Sequence, residues 1–183
     1  MGLFGSNLKT THYQETGVRV VRLQNIGVGA FIDDDKAYVS PDHFSTLAKH
    51  RCLPGDVLIG TLGDPNLRAC VLPSSVPEAL NKADCVQFRV NPERATAAWA
   101  CGILNLPQTL SMAAQMIQGI TRARISMGRL RELVIPVPPL GLQHKFAAAV
   151  ESMNAISTSH SVAAIAGTNL FQSLLHRAFD GAL

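Results

Sequence analysis

The chain has 183 residues, 47% of them hydrophobic and 16% charged, and 16 Lys+Arg against 13 Asp+Glu leave a formal charge of +3. So apolar and weakly charged a chain is not intrinsically disordered, histone-like or collagen-like. Its length gives one domain plus about forty residues, enough for a core without disulfide or metal staples.

The first ten residues, MGLFGSNLKT, contain no basic segment followed by an apolar one, so no secretory signal is expected. The uncharged stretch Ala95 to Gln118 contains Pro107 and several Thr, Ser and Gln residues, which fits helix and loop rather than a membrane span. Cys52, Cys70, Cys85 and Cys101 form no CxxC pair and have no nearby His pair. They are expected to be reduced, half-buried structural thiols of a cytoplasmic protein, with no metal site.

From Gly17 to about Val90, β-branched bursts are separated by Gly and Pro turns. Strands are expected at Val18–Leu23 (VRVVRL), Ala37–Val39 (AYV), Asp56–Leu62 (DVLIGTL), Ala69–Pro73 (ACVLP) and Asp84–Val90 (DCVQFRV). Asp33-Asp34-Asp35 reads as a solvated turn between two of them, because consecutive side chains point to different sides and do not converge on a cation. Asp42 is expected to cap a short helix over HFSTLAK, and Pro54-Gly55-Asp56 to turn the chain into a buried strand. Beyond Asn91-Pro92, Glu93–Leu104 and Leu110–Ile117 have helical composition, and Leu133–Val137 (LVIPV) reads as a further short strand. Residues 1–138 are therefore expected to form a mixed α+β domain.

Residues 139–183 are different material. After Pro138-Pro139, the residues Leu142, Phe146, Ala149, Met153, Ile156, His160, Ala163, Gly167, Leu170 and Leu174 recur at steps of three and four, a heptad-like seam. A continuous helix from Leu140 to Phe179 would have about 40 residues and a length of roughly 60 Å. Ser157-Thr158-Ser159 and Gly167 have weak helix propensity and mark where a kink or break would fall. Leu142, Phe146, Val150, Met153, Ile156, Leu170 and Leu174 exceed what one helix can hide against its own domain, which predicts a homodimer built through this helix and paired as a coiled coil.

Six scattered His residues, none spaced as a pair, offer no nucleophile with a base. No dinucleotide fingerprint, P-loop or Asn-Pro-Pro-aromatic tetrad is present. No enzymatic activity and no cofactor are expected of this chain. Arg122, Arg124, Arg129 and Arg131 cluster with no acidic residue until Glu132. Arginine clamps phosphates and reads guanine bidentately, and Gln118 and Thr121 add neutral groups that can contact base edges. Arg122 and Arg124 in the Gly-led loop, with Gln118 and Thr121, are the candidate DNA contacts; Arg68 and Asn25 are weaker ones. Arg129 and Arg131, on the approach to LVIPV, read as structural.

Three segments in order, GVRVVRLQNIGVGAFIDDDKAYVS, LPGDVLIGTLGDPNLRACVLP and QGITRARISMGRLRELVIPVPPLGLQHKF, followed by a long helix, resemble one half of the DNA-specificity (S) subunit of type I restriction-modification systems. The most specific part is the ending, a Gly-Thr loop, then Ile-Pro-x-Pro-Pro-Leu, then Gln143 entering a helix. Such subunits typically carry two target-recognition domains, each followed by a long helix, and the two helices pack antiparallel as a spacer. This sequence has one of each and lacks the family's Trp-containing lead-in, so the resemblance implies either a truncated half-subunit or a natural single-domain form, two copies of which would pair antiparallel to reproduce that spacer. It also implies double-stranded DNA as ligand, read in the major groove. Adenine methyltransferase subunits, with or without a restriction subunit, would be partners, with S-adenosylmethionine, ATP and Mg confined to them. The alternative is an assembly or decoy protein that binds methyltransferase subunits through its helix without reading DNA.

Overall fold

Val57–Gly60 (VLIG) is buried at every position, which requires cover on both faces of the strand. In the computed structural model, which describes residues 3–4, 8–118 and 124–179, a helical layer covers one face and a second sheet the other. Strands β1 (Leu3–Phe4), β6 (Val57–Gly60), β7 (Ala69–Val71) and β9 (Cys85–Phe88) form an antiparallel sheet ordered β1-β9-β6-β7. The second sheet, ordered β2-β4-β3-β8-β5, contains β2 (Tyr13–Gln14), β3 (Val18–Val21), β4 (Tyr38–Val39), β5 (Arg51–Cys52) and β8 (Ala79–Asn81). It is mixed, because β3 and β8 run parallel.

The period-two alternation of the strands distributes their side chains over stacked cores. Val57, Ile59, Ala69 and Val86 pack with Ala100, Cys101 and Leu104 of α2 (Ala97–Leu104). Leu58, Cys70 and Cys85, on the opposite face, meet Val21, Cys52 and Ala79 of the second sheet. That sheet's outer residues Val20, Val39 and Leu80 pack with Phe44 of α1 (Pro41–Thr46).

Several elements depart from the sequence reading. Ser40, not Asp42, caps α1: its hydroxyl accepts from the His43 N–H at 3.1 Å, with Pro41 at the first helical position. Helix α2 starts only at Ala97, where Thr96 accepts from the Trp99 N–H, and α3 (Pro107–Ala114) starts earlier than Leu110 because Pro107 opens it. Leu133–Val137 forms no strand: Pro136 and the following Pro138 and Pro139 lack N–H donors, and Val134 is exposed. Arg129 and Arg131 accordingly do not approach a strand but lie in a short helix, α4 (Met127–Glu132). The cysteines are fully rather than half buried, and none is bonded to another.

Two buried polar side chains hold the turns of this unit. Asp56, 2% exposed, accepts from Arg89 Nε and Nη2 and from Gln87 Nε2, each at 2.6 Å, and from the Leu53 N–H at 2.8 Å. Gln143 is fully buried; its Oε1 accepts from the Thr96 N–H at 2.8 Å, while Nε2 donates to Arg94 O and Pro138 O at 3.0 and 2.7 Å.

The chain divides into two units, Met1–Gln143 and His144–Leu183. The second belongs to α5 (Leu140–Phe179), an uninterrupted helix of 40 residues. The anticipated weak points do not break it. The hydroxyls of Ser152, Thr158, Ser161 and Thr168 donate to the carbonyls four residues back at 2.9–3.0 Å, so they find partners within the helix itself. Met153, Ile156, Leu170 and Leu174 of the seam are exposed, as are Val162 and Ile165, which fall on the other side of the helix.

Candidate nucleic-acid interface

Strands β10 (Ile117–Gln118) and β11 (Arg124–Ile125) pair antiparallel, with Gln118 opposite Arg124. Ile125 plugs the pair into the helical core and is fully buried. Its N–H donates to Thr61 O at 3.1 Å, and Arg124 bridges to Leu62. Thr61 in turn donates through both its N–H and its hydroxyl to Asp84 O, at 3.0 and 2.9 Å. These bonds gather the turn after β6, the turn between β8 and β9 and the β10–β11 pair in one place.

Arg124 projects from this cluster with its side chain 60% exposed. It is not unopposed, as the sequence alone suggests: its Nη1 lies 3.5 Å from Asp84 Oδ1. So long and exposed a pair is weak and leaves the guanidinium able to change partner. Gln118 contributes its backbone to β10. Thr121 and Arg122 lie outside the described residues.

Arg68 and Asn25 have a different place. Arg68 gives Nε to Ile26 O at 2.7 Å, Nη1 to Leu62 O and Pro65 O at 2.9 and 3.2 Å, and Nη2 to Leu23 O at 3.1 Å. One guanidinium thus ties the 23–26 turn to the 62–65 loop. Gly63 is required beside it: its φ is +106°, and a Cβ there would meet Arg68 Nη1 at 2.8 Å. Asn25 is fully buried. It accepts from the Arg22 N–H at 2.9 Å and donates to Ile32 O and Asp34 O at 3.0 and 2.9 Å, closing the 25–34 loop from inside. Both residues shape the loops rather than extend from them.

Asp33-Asp34-Asp35 is more than a solvated turn. Asp33 pairs with Arg19 at 3.2 Å and with Lys36 at 3.0 Å, and Asp35 pairs with Arg22 at 2.7 Å. The hydrogen bond from Lys36, with the charges of Lys36 and Arg19, holds the Asp33 carboxyl below its ordinary range. The signal was present in VRVVRL: an arginine inside a strand burst whose side chain is buried needs a carboxylate, and this acidic run is close in sequence.

The thiols offer no nucleophile. Burial pushes Cys70 and Cys85 up to about 12 and Cys101 up to about 11, and raises Cys52 further, so all four are protonated at neutral pH. Among the described residues, no group of three or more His, Cys, Asp or Glu could hold a metal ion, and no helix is long and apolar enough to cross a membrane.

No family model matches the chain, and no curated protein matches it. A solved structure does match: a chain from work on the structural basis of complex assembly and conformational transition of the type I R-M system. It aligns with a TM-score of 0.64 at 19% identity, over 100% of this chain and 44% of that one. This chain therefore spans less than half the length of the protein it resembles, and at this identity the likeness is one of fold: an α+β sheet unit followed by one long helix.

Proposed function

We propose that this chain is a sequence-specific DNA-binding subunit that directs a type I restriction-modification methyltransferase/endonuclease to a split target site. The observation that carries the proposal is the succession of a two-sheet α+β unit and an unbroken 40-residue helix, in a fold resembling a chain of a type I R-M system. Residues 1–138 act as the target-recognition domain, placed in the major groove by phosphate contacts and reading bases from the region of Gln118, Thr121, Arg122 and Arg124. Arg68 and Asn25 serve recognition by fixing the neighbouring loops. The chain itself is non-catalytic; S-adenosylmethionine, ATP and Mg act in partner subunits.

Residues 139–183 assemble the complex. The seven seam residues Leu142, Phe146, Val150, Met153, Ile156, Leu170 and Leu174, at ~1.5 to 3 kcal/mol each, represent on the order of 10 to 20 kcal/mol before association costs. A second copy completes the seam. With a twofold axis at Thr158, antiparallel pairing puts Leu142 against Leu174, Phe146 against Leu170, and the small residues Ala149 and Gly167 against each other. The same helix pair holds adenine methyltransferase subunits and, with them, a restriction subunit in the cytoplasm.

Co-purification with an adenine methyltransferase encoded beside this chain, followed by mapping of methylated sites, tests the proposal. Methylation confined to one split motif, and lost without this chain, is expected. Methylation at the same sites without it would overturn the assignment. The alternative reading, a decoy that occupies methyltransferase subunits without reading DNA, is favoured by the net charge of only +3 and by Asp84 beside Arg124. It predicts methyltransferase binding with suppressed methylation.

A further inference from the structure

The turn between β8 and β9, Lys82 to Asp84, is fixed by backbone bonds at both ends. The Lys82 N–H donates to Val21 O at 3.0 Å, Lys82 O accepts from the Cys85 N–H at 3.2 Å, and Thr61 holds Asp84 O. The Asp84 carboxylate lies 3.5 Å from Arg124. Lys82 is therefore set at a defined place, two residues from the partner of the candidate reading residue.

Arg22, Arg68, Lys82 and Arg124 gather at this end of the unit, and they are not used alike. Arg68 is spent on four carbonyls, Arg22 is paired with Asp35 at 2.7 Å, and Arg124 is paired with Asp84. Among the described residues, the Lys82 ammonium has no carboxylate and no hydrogen-bond acceptor. It stands instead over the Tyr13 ring, 5.3 Å from the centroid, and the Arg22 guanidinium stands over the same ring at 5.9 Å. The ring attracts both cations. They repel each other, however, and Asp35 offsets only Arg22. Lys82 is half-buried along its stem while Nζ is not shut off from solvent, so an anion can reach it from outside.

The surroundings decide which anion. An ammonium is a compact point charge with three donors, suited to a phosphate oxygen rather than to bidentate reading of a base. One exposed lysine gives a free small anion little to hold, whereas a polymer that also touches Arg124 makes the second contact at high effective concentration. Duplex DNA is read in this way, with phosphate contacts setting the register for neighbouring groups that reach the bases.

We propose that Lys82 is a phosphate anchor of the DNA surface, its ammonium donating to a backbone oxygen of the duplex while Arg124 faces the groove. This contact rests on the DNA-directing role proposed above and adds the β8–β9 turn to the surface that meets the duplex.

Fluorescence anisotropy of the complex with the methyltransferase tests this, on a duplex carrying the mapped motif and on a random duplex, from low to physiological salt. Lys82→Gln should weaken both by the same factor, about threefold to tenfold, and lower the salt slope by about 0.9, with the methylated sites unchanged. Lys82→Arg keeps the charge and should keep the wild-type slope. Arg94→Gln, beyond the far end of β9, should alter neither affinity nor slope. If the wild-type complex prefers the motif and Lys82→Gln leaves affinity and slope unchanged, the anchor is overturned and the DNA-directing role stands. If the wild-type complex does not distinguish the two duplexes, both fall. Weaker methyltransferase binding by Lys82→Gln in the absence of DNA would make Lys82 a protein contact and likewise overturn the anchor.

Discussion

In the unit Met1–Gln143, single side chains close whole loops: Arg68 serves four carbonyls, Asp56 takes four hydrogen bonds and Gln143 three. In the unit His144–Leu183 the hydroxyls of Ser152, Thr158, Ser161 and Thr168 turn back onto their own helix, and Met153, Ile156 and Leu170 stand 69, 60 and 62% exposed. The first unit has the makings of independent stability. An isolated helix of this kind gains little from propensity alone, so its apolar seam is the part expected to draw stability from a partner. Substitutions should therefore separate into those that unfold the domain and those that disassemble the protein.

The largest expected effect is on assembly. The double change Ile156→Glu, Leu170→Glu places carboxylates in the proposed seam on both sides of the twofold axis. It should weaken self-association at least about a thousandfold, roughly 4 kcal/mol, while the thermal unfolding of the sheet domain stays put. Sedimentation equilibrium together with near-ultraviolet circular dichroism reads both. A wild-type chain that is strictly monomeric at tens of micromolar would remove the homodimer from the picture.

Next in size is Asp56→Ala, which breaks the sharpest polar junction of the domain. It should cost about 3 kcal/mol or more, measured by urea denaturation. Burial pushes the Asp56 carboxyl upward, but the bonds from Arg89, Leu53 and Gln87 and the Arg89 charge outweigh it, and the net value lies below the ordinary 3.8. A carboxyl depressed by folding stabilises the native state above its unfolded pKa, and that contribution is lost as pH falls through the folded value. The domain should therefore lose stability below about pH 4, and Asp56→Asn should flatten that part of the profile. Gln143→Ala follows, at about 2 kcal/mol, because it leaves Thr96 N–H, Arg94 O and Pro138 O without their partner.

The same contrast explains what could be read from the sequence. The helix was legible to its ends, Leu140 and Phe179, because a seam repeated along a long segment is a strong local signal and Pro138-Pro139 punctuates it. The longer strands were legible too, but β8 (Ala79–Asn81) was not: three residues ending in a buried Asn carry no alternation, and its place is fixed by pairing with β3 and β5. LVIPV was misread because its composition is strand-like while its prolines remove the ladder. The hydrogen bonds by which Arg68 and Asn25 hold their loops were not legible. Which carbonyls an arginine reaches across 42 or 45 positions of chain is a property of the tertiary fold, and the sequence offers only the residue type.

The smallest expected effect on stability falls at the interface candidate. Arg124→Ala removes an exposed guanidinium whose ion pair to Asp84 is long, so folding should change by no more than about 0.5 kcal/mol. DNA recognition should respond more. If Arg124 reads a guanine, the loss should be about 1 to 3 kcal/mol on the cognate site with relaxed preference at one base pair; if it touches phosphate, binding should weaken evenly and the salt slope should fall by about one. Asp84→Asn separates the ion pair from the contact: it frees Arg124 and should strengthen binding to random duplex while leaving the preferred site the same. These measurements belong in the assembled complex with the methyltransferase, since a net charge of +3 gives little nonspecific affinity at physiological salt. An Arg122→Ala, Arg124→Ala protein that directs methylation to the same sites at the same rate, with unchanged salt dependence, would move the reading surface away from β11 and leave Arg124 as an edge residue held near Asp84.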